Sequence, residues 1–240
     1  MRVKSAIRNP QSEMDNVHIY SVSVDSADCG RLTEFLSPDE LDRAARFHFP
    51  RDRDRFIARR GILREILSRC LDQAPGDLQF QYTPLGKPYL AGTPIHFSAS
   101  HSNALALCAV SSQEVGIDVE QICPDFPFME VARRFFREAE LSYLESLPPA
   151  DQRRSFYALW TRKEAYLKAL GLGLSAGIEA PIPLASDAEI TGPEGKVWTV
   201  LELDVGADYR AALACAGGLK SARIHPWTPD RQSKKPLKRN

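Results

Sequence analysis

Apolar and polar residues follow two rhythms along this chain, and the changes between them mark out its elements. Residues 17–24 repeat every second position, as a half-buried strand does. Ser37-Pro38-Asp39-Glu40 then opens a helix, with Ser37 as the cap, Pro38 in the first turn and Glu40 placed to reach back. A second helix is expected from Asp52 to Leu71, burying Phe56, Leu63, Ile66, Leu67 and Cys70. Leu78–Thr83 reads as a strand closed by the turn Pro84-Leu85-Gly86-Lys87-Pro88. Ile95, Phe97 and Ala99 alternate with His96, Ser98 and Ser100, a strand that delivers Ser100, His101 and Ser102 at its end. Ala104–Val110 is apolar throughout, as a strand buried on both faces is.

After the polar break Ser111-Ser112-Gln113 the order repeats. Val115–Glu120 is a strand, helical segments start near Phe128 and Arg137, and a long helix covers Phe156–Leu174 with its stop at Gly171-Leu172-Gly173. Strands are expected near Ile178, at Val197–Leu203 and at Tyr209–Ala216. Each half reads strand, helix, helix, three strands, without residue-level identity between the halves. The expected fold class is α+β: two similar α+β lobes in one chain, a pseudo-dimer facing across a cleft. Residues 1–13 are expected to be a disordered lead, 14–112 the N-terminal lobe, 113–225 the C-terminal lobe and 226–240 a basic disordered tail.

Composition narrows the function. The formal net charge is zero, so no global field favours nucleic acid or an anionic membrane. The balance is local, however. Nine arginines stand against three acids between Arg43 and Arg69, enough for a phosphate-binding surface. Five scattered cysteines with no C-x-x-C spacing point to free thiols in a reducing compartment. No apolar run is long enough to span a bilayer. A soluble, cytoplasmic, monomeric protein that binds neither membrane nor nucleic acid is the expectation.

Two groups of residues carry chemistry. Asp118 and Glu120, two apart on a strand, point to one face, where their repulsion invites a cation. Glu164, from the long helix, is a third candidate ligand, and three oxygen donors suit a hard ion such as magnesium. Taken singly, a D-x-E is usually a pair of solvated strand acids, and Glu164 with Lys168 four residues on is usually a surface ion pair. On the basic side, Arg59 and Arg60 fall inside the buried arc of their helix and need anionic partners, either an internal salt bridge or a ligand phosphate. Lys87, pinned between glycine and proline, joins Arg59, Ser100 and His101 as a candidate phosphate cradle. Cations in one half and magnesium carboxylates in the other would suit a substrate carrying several phosphates.

Gly86-Lys87-Pro88, Phe97-Ser98-Ala99-Ser100-His101-Ser102, Gly116-Ile117-Asp118-Val119-Glu120 and Trp160-Thr161-Arg162-Lys163-Glu164-Ala165-Tyr166-Leu167-Lys168 occur in that order. In these motifs, over about Val17 to Gly217, the chain resembles the larger, Sfp-type 4'-phosphopantetheinyl transferases (holo-[acyl-carrier-protein] synthases). The resemblance implies magnesium-dependent transfer of 4'-phosphopantetheine from coenzyme A to a serine of an acyl or peptidyl carrier protein, releasing 3',5'-ADP. It implies Asp118, Glu120 and Glu164 as metal ligands, Lys168 as a catalytic lysine, and Lys87, Ser100 and His101 as coenzyme A contacts. Arg59 and Arg55 lie in the helix where relatives carry cations. Glu40 stands where some relatives have a lysine, with Arg43 as the candidate substitute. Glu164 remains open between metal ligand and general base. The rival readings are a catalytically silent module binding coenzyme A or a carrier, and a magnesium-dependent nuclease, which the neutral core disfavours.

Overall fold

The two halves of the chain are built to one plan, and the plan brings one strand of each half into contact. The structure is a computed structural model and describes residues 16–173, 180, 182–219 and 221–229. The first half runs β1 (Asn16–Ser23), α1 (Cys29–Thr33), α2 (Pro38–Ala45), α3 (Pro50–Leu71), β2 (Phe80–Tyr82), β3 (Pro88–Leu90), β4 (His96–Ser102) and β5 (Leu105–Ser111). The second runs β6 (Val115–Gln121), α4 (Phe128–Phe135), α5 (Glu138–Ser146), α6 (Pro149–Leu170), β7 (Ala188–Thr191), β8 (Val197–Leu203), β9 (Tyr209–Ala216) and β10 (Ser221–Pro226).

Local chemistry explains most boundaries. Glu40 accepts from the Ser37 amide at 3.0 Å, the reciprocal cap expected at α2. Gly171 ends α6 in the left-handed conformation that glycine adopts freely. α6 nevertheless starts at Pro149 rather than Phe156; its first turns carry Gln152, Arg153 and Arg154, so no apolar period marks them in the sequence. α1 left no pattern either: it has five residues and buries Leu32 alone. The strand expected near Ile178 lies outside the described residues.

The sheets have orders β10-β1-β5-β4 and β6-β9-β8-β7, with β2-β3 a separate hairpin. In each lobe the first strand pairs antiparallel with the last, β1 with β5 and β6 with β9, and the last with the one before it. The architectural repeat is therefore real at the level of topology. Strand alternation then builds the layers. Val17 and Ile19 of β1, Leu107 and Ala109 of β5, Val115, Ile117 and Val119 of β6, and Leu213 of β9 form one core between the two sheets. The opposite face of the first sheet packs on α3 through Phe97, Cys108 and Val110. Opposite faces of β8 and β9 pack on α6 through Val200, Ala212 and Ala214. Helix, sheet, sheet, helix is the order of layers, an α+β fold.

One strand crosses the lobes. β10 returns to pair in parallel with β1, the Trp227 amide donates to Ser21 O at 2.9 Å, and Arg69 donates to Thr228 O at 3.0 Å. Residues 226–229, expected to open the basic tail, are thus built into the first lobe. A single tryptophan in a polar stretch has no periodicity to announce this. Residues 1–15 and 230–240 lie outside the described residues. No described helix is long and apolar enough to cross a membrane.

Candidate active site

The centre of the molecule is where β6 meets α6, and a missing side chain makes that contact possible. Alternation turns Gly116, Asp118 and Glu120 of β6 away from the inter-sheet core and towards α6. A Cβ at Gly116 would overlap the Ala165 carbonyl oxygen and the Ala169 amide nitrogen. Only glycine lets the helix lie this close, and the close approach carries Glu164 and Lys168 to the two strand acids.

Asp118 is 2 % exposed. Its Oδ1 accepts from Lys168 Nζ at 2.6 Å and from Ser100 Oγ at 2.7 Å. Its Oδ2 is buried without a hydrogen-bond partner. Glu120 accepts from Ser102 Oγ at 2.9 Å. Burial, then the charges of Asp118 and Glu164, push the Glu120 pKa up to about 7 despite Ser102 and Lys168. Burial also raises the pKa of Glu164, and Asp118 adds to the rise while Lys168 draws it down. Glu120 and Glu164 therefore both resist ionising.

The second lobe owes this geometry partly to β4. Ser98 Oγ accepts from the Ile117 amide at 3.1 Å and Ser102 Oγ from the Gln121 amide at 3.0 Å, so the serines at 98, 100 and 102 zip β4 onto β6. That role was visible in the sequence only as a period-two row of serines. On α6, Lys163 is fully buried and donates to Glu140 at 2.9 Å and to Phe135 O at 2.8 Å, fastening α4 and α5 to the helix that carries Glu164. Arg162, next to it, pairs with Glu202.

Across β4 lies a cavity of about 320 Å³ lined by Arg43, Phe56, Arg59, Arg60, Ser100 and His101, among others. Arg59 forms no ion pair with a described residue, and burial, then Arg55 and Arg43, lower its pKa. Partial burial, then Arg59 and Lys168, push His101 down to about 4. Arg43 lies over the Phe56 ring at 5.2 Å. Arg60, its twin in the sequence, is satisfied internally: it pairs with Glu40 and donates to the Tyr82 hydroxyl at 2.8 Å.

The structure separates the remaining candidates. Ser100 belongs to the acid cluster as a donor to Asp118 and also borders the basic cavity. Arg55 forms a two-pronged pair with Asp25, at 2.6 and 2.8 Å, and donates to Asn103 at 3.0 Å. Lys87 donates to Val115 O at 3.2 Å and to Ala169 O at 3.0 Å, joining the turn after β2 to β6 and α6. Burial lowers its pKa to about 8. It lines a second cavity of about 320 Å³ with Lys168 and Gly171, which adjoins the first along Arg60, Leu63 and Ala99. Lys87 and His101 therefore do not share one cradle; they border neighbouring cavities.

Among the described residues, no three His, Cys, Asp or Glu side chains close on a point tightly enough to hold a metal ion. The donors nonetheless fit magnesium: all are hard oxygens, Asp118 Oδ2 is an orphaned buried acceptor, and the mutual repulsion is what a cation relieves. The Lys168 ammonium supplies the local positive charge instead.

Clustered acids on one lobe and a cation-lined cavity on the other describe a two-lobed α+β protein with a candidate site that draws on both. Residues 25–113 match the family model for the N-terminal part of 4'-phosphopantetheinyl transferases, and residues 114–214 match that of the 4'-phosphopantetheinyl transferase superfamily. The chain is 40% identical over 210 residues to the 4'-phosphopantetheinyl transferase HetI of Nostoc sp., a match covering 85% of this chain and 89% of that one. It is 32% identical over 163 residues to the 4'-phosphopantetheinyl transferase Sfp of Bacillus subtilis, covering 67% and 72%. The chain belongs to the 4'-phosphopantetheinyl transferase family, and it is an enzyme.

Proposed function

We propose that this enzyme transfers the 4'-phosphopantetheine group of coenzyme A to a serine of an apo acyl or peptidyl carrier protein, with magnesium, releasing 3',5'-ADP. The observation that carries the reading is the shared wall of β4: Ser100 borders the cation-lined cavity on one side and donates to Asp118 on the other. A substrate with phosphates at both ends of a short span would meet Arg59, His101 and Arg43 at one end and the acid cluster at the other.

The serine oxygen forms a bond to the phosphorus that bears pantetheine, and the bond from that phosphorus to the bridging oxygen breaks, leaving 3',5'-ADP. The serine proton passes to Glu164, directly or through water. Its raised pKa favours that uptake over a carboxylate of ordinary acidity. Arg59 and His101 hold the terminal phosphate, and Lys168 stands beside the pyrophosphate to stabilise charge on the leaving group. Asp118, Glu120 and Glu164 would hold magnesium, which when bound supplies neutralisation of the pyrophosphate. Lys87 keeps the lobes in register through its two carbonyl contacts. The proposal includes a monomeric, cytoplasmic enzyme, in keeping with a site formed within one chain and five free cysteines.

The test is mass spectrometry of an apo acyl carrier protein incubated with the enzyme, coenzyme A and magnesium. One phosphopantetheine added on a serine is the expected result. An unmodified carrier across a panel of acyl and peptidyl carrier proteins would sink the reading.

A further inference from the structure

Beyond the acid cluster, the second lobe holds another concentration of charge. A cleft of about 210 Å³ opens between α6 and the β8–β9 side of the sheet, lined among others by Arg154, Arg162, Arg210, Glu202 and Tyr143. Three guanidiniums there meet one carboxylate. Arg162 spends its terminal nitrogens on Glu202 and on the carbonyls of Pro183 and Leu184, and its Nε is buried with no partner. Arg210 donates to the carbonyl of Tyr209 at 2.8 Å and forms no ion pair with a described residue. Burial first, then the charge of Arg154, lower its pKa, against the opposing pull of Glu202 and Asp204. Arg154 is exposed and makes no hydrogen bond or ion pair with a described residue. Guanidiniums brought together with spare donors are a receptor for an oxyanion, which relieves their repulsion and fills their forks.

The position of the cleft says whose oxyanion. Arg210 stands directly opposite Glu120 in the β6–β9 pairing, so the cleft adjoins the acid cluster. Glu120 thus has two flanks. On one, Ser102 of β4 leads to the cavity of Arg59 and His101, which meets the anionic needs of the donor. On the other, Arg154 and Arg210 form no ion pair with a described residue, and the cleft is small, polar and open.

We propose that Arg154 and Arg210, backed by Arg162, dock an acidic side chain that stands near the reactive serine on the surface of the acceptor protein. This rests on the reading of the acceptor as a carrier protein. Charge complementarity selects the partner: an acidic protein surface presented from the flank that the donor leaves open.

Steady-state kinetics with a purified apo acyl carrier protein and coenzyme A test it, on the unsubstituted enzyme, Arg154→Glu and Arg154→Lys. Arg154 has no described partner to lose, so the fold is not at stake. Arg154→Glu is expected to raise KM for the carrier protein roughly tenfold or more while KM for coenzyme A stays within about twofold. Arg154→Lys, which keeps the charge, is expected to recover most of the loss. Added salt should raise the carrier KM of the unsubstituted enzyme more steeply than that of Arg154→Glu. An unchanged carrier KM in Arg154→Glu overturns the docking assignment and leaves the transfer reading intact. A rise in the coenzyme A KM instead gives the cleft to the donor and also overturns it. If the unsubstituted enzyme modifies no carrier protein, the transfer reading fails, and this proposal falls with it.

Discussion

The two long helices make an instructive pair. α3 and α6 each have 22 residues, each enters through a proline and each lies on a sheet with the same three-strand antiparallel core, β1-β5-β4 and β6-β9-β8. Both carry charges into partly buried positions, and both have most of them matched. On α3, Arg60 and Arg64 share Glu40 from α2, while Glu65 takes Arg31 and Arg69. On α6, Lys163 takes Glu140 and Arg162 takes Glu202. What remains after this matching is Arg59 on one helix and Glu164 on the other, and these two border the basic cavity and the acid cluster. Buried charge is common in this protein; buried charge without a partner marks the site.

The comparison breaks most severely if the acid side is not chemical. Asp118→Ala should cost about 10³-fold or more in single-turnover transfer, while circular dichroism stays that of the unsubstituted protein. Lys168, 31% exposed, can turn to water once its partner is gone. Turnover near that of the unsubstituted enzyme would remove Asp118 from the site.

Next in size is the contact that gathers the acids. Gly116→Ala forces a methyl group against α6 backbone, which should destabilise the fold by about 3 kcal/mol in urea unfolding. It should also slow transfer, because Glu164 moves with the helix. A variant of normal stability would mean that α6 does not rest on β6 in solution.

The basic side is sharpened by substituting the two neighbouring arginines of α3. Arg59→Ala should raise KM for coenzyme A roughly tenfold, as loss of a charged contact does, with little change in stability. That penalty should vanish with 3'-dephospho-coenzyme A. Arg60→Ala should do the reverse, costing about 2 kcal/mol of stability through Glu40 with a smaller effect on KM. Equal behaviour of the two would dissolve the distinction between matched and unmatched charge.

The smallest effect concerns pH. The Glu120 pKa rises from 4.5 to about 7 on folding. Between those values the unfolded chain ionises this group and the folded protein resists, so stability falls as pH rises through that window. Allowing for the part of the carboxylate that water reaches, the cost is about 2 kcal/mol. Glu120→Gln keeps an acceptor for Ser102 and removes the charge. Its Tm without metal should exceed that of the unsubstituted protein by about 5 °C at pH 7.5 and match it near pH 4.5, with transfer lost. Scanning calorimetry at both values decides; the same gain at both would rule out repulsion as its source.

Much of this molecule was legible in its residues. The period-two and helical patterns marked β1, β4, β5, β6 and the long helices, since alternation and amphipathicity are local properties that burial imposes on any chain of this kind. The D-x-E spacing put Asp118 and Glu120 on one face, and the ordered motifs carried the family. What only the tertiary structure decided was pairing. Arg59 and Arg60 are neighbours of one type, and their difference depends on Glu40, 20 residues before Arg60 in the chain. Arg55 meets Asp25 and Asn103, and Lys87 meets the carbonyls of Val115 and Ala169, partners that no local pattern announces. β10 carried no strand pattern of its own, and its partner is the first strand of the chain. An ion pair or a strand pairing is a relation between distant positions, which no local period encodes; the fold alone says which charges meet and which are left for a ligand.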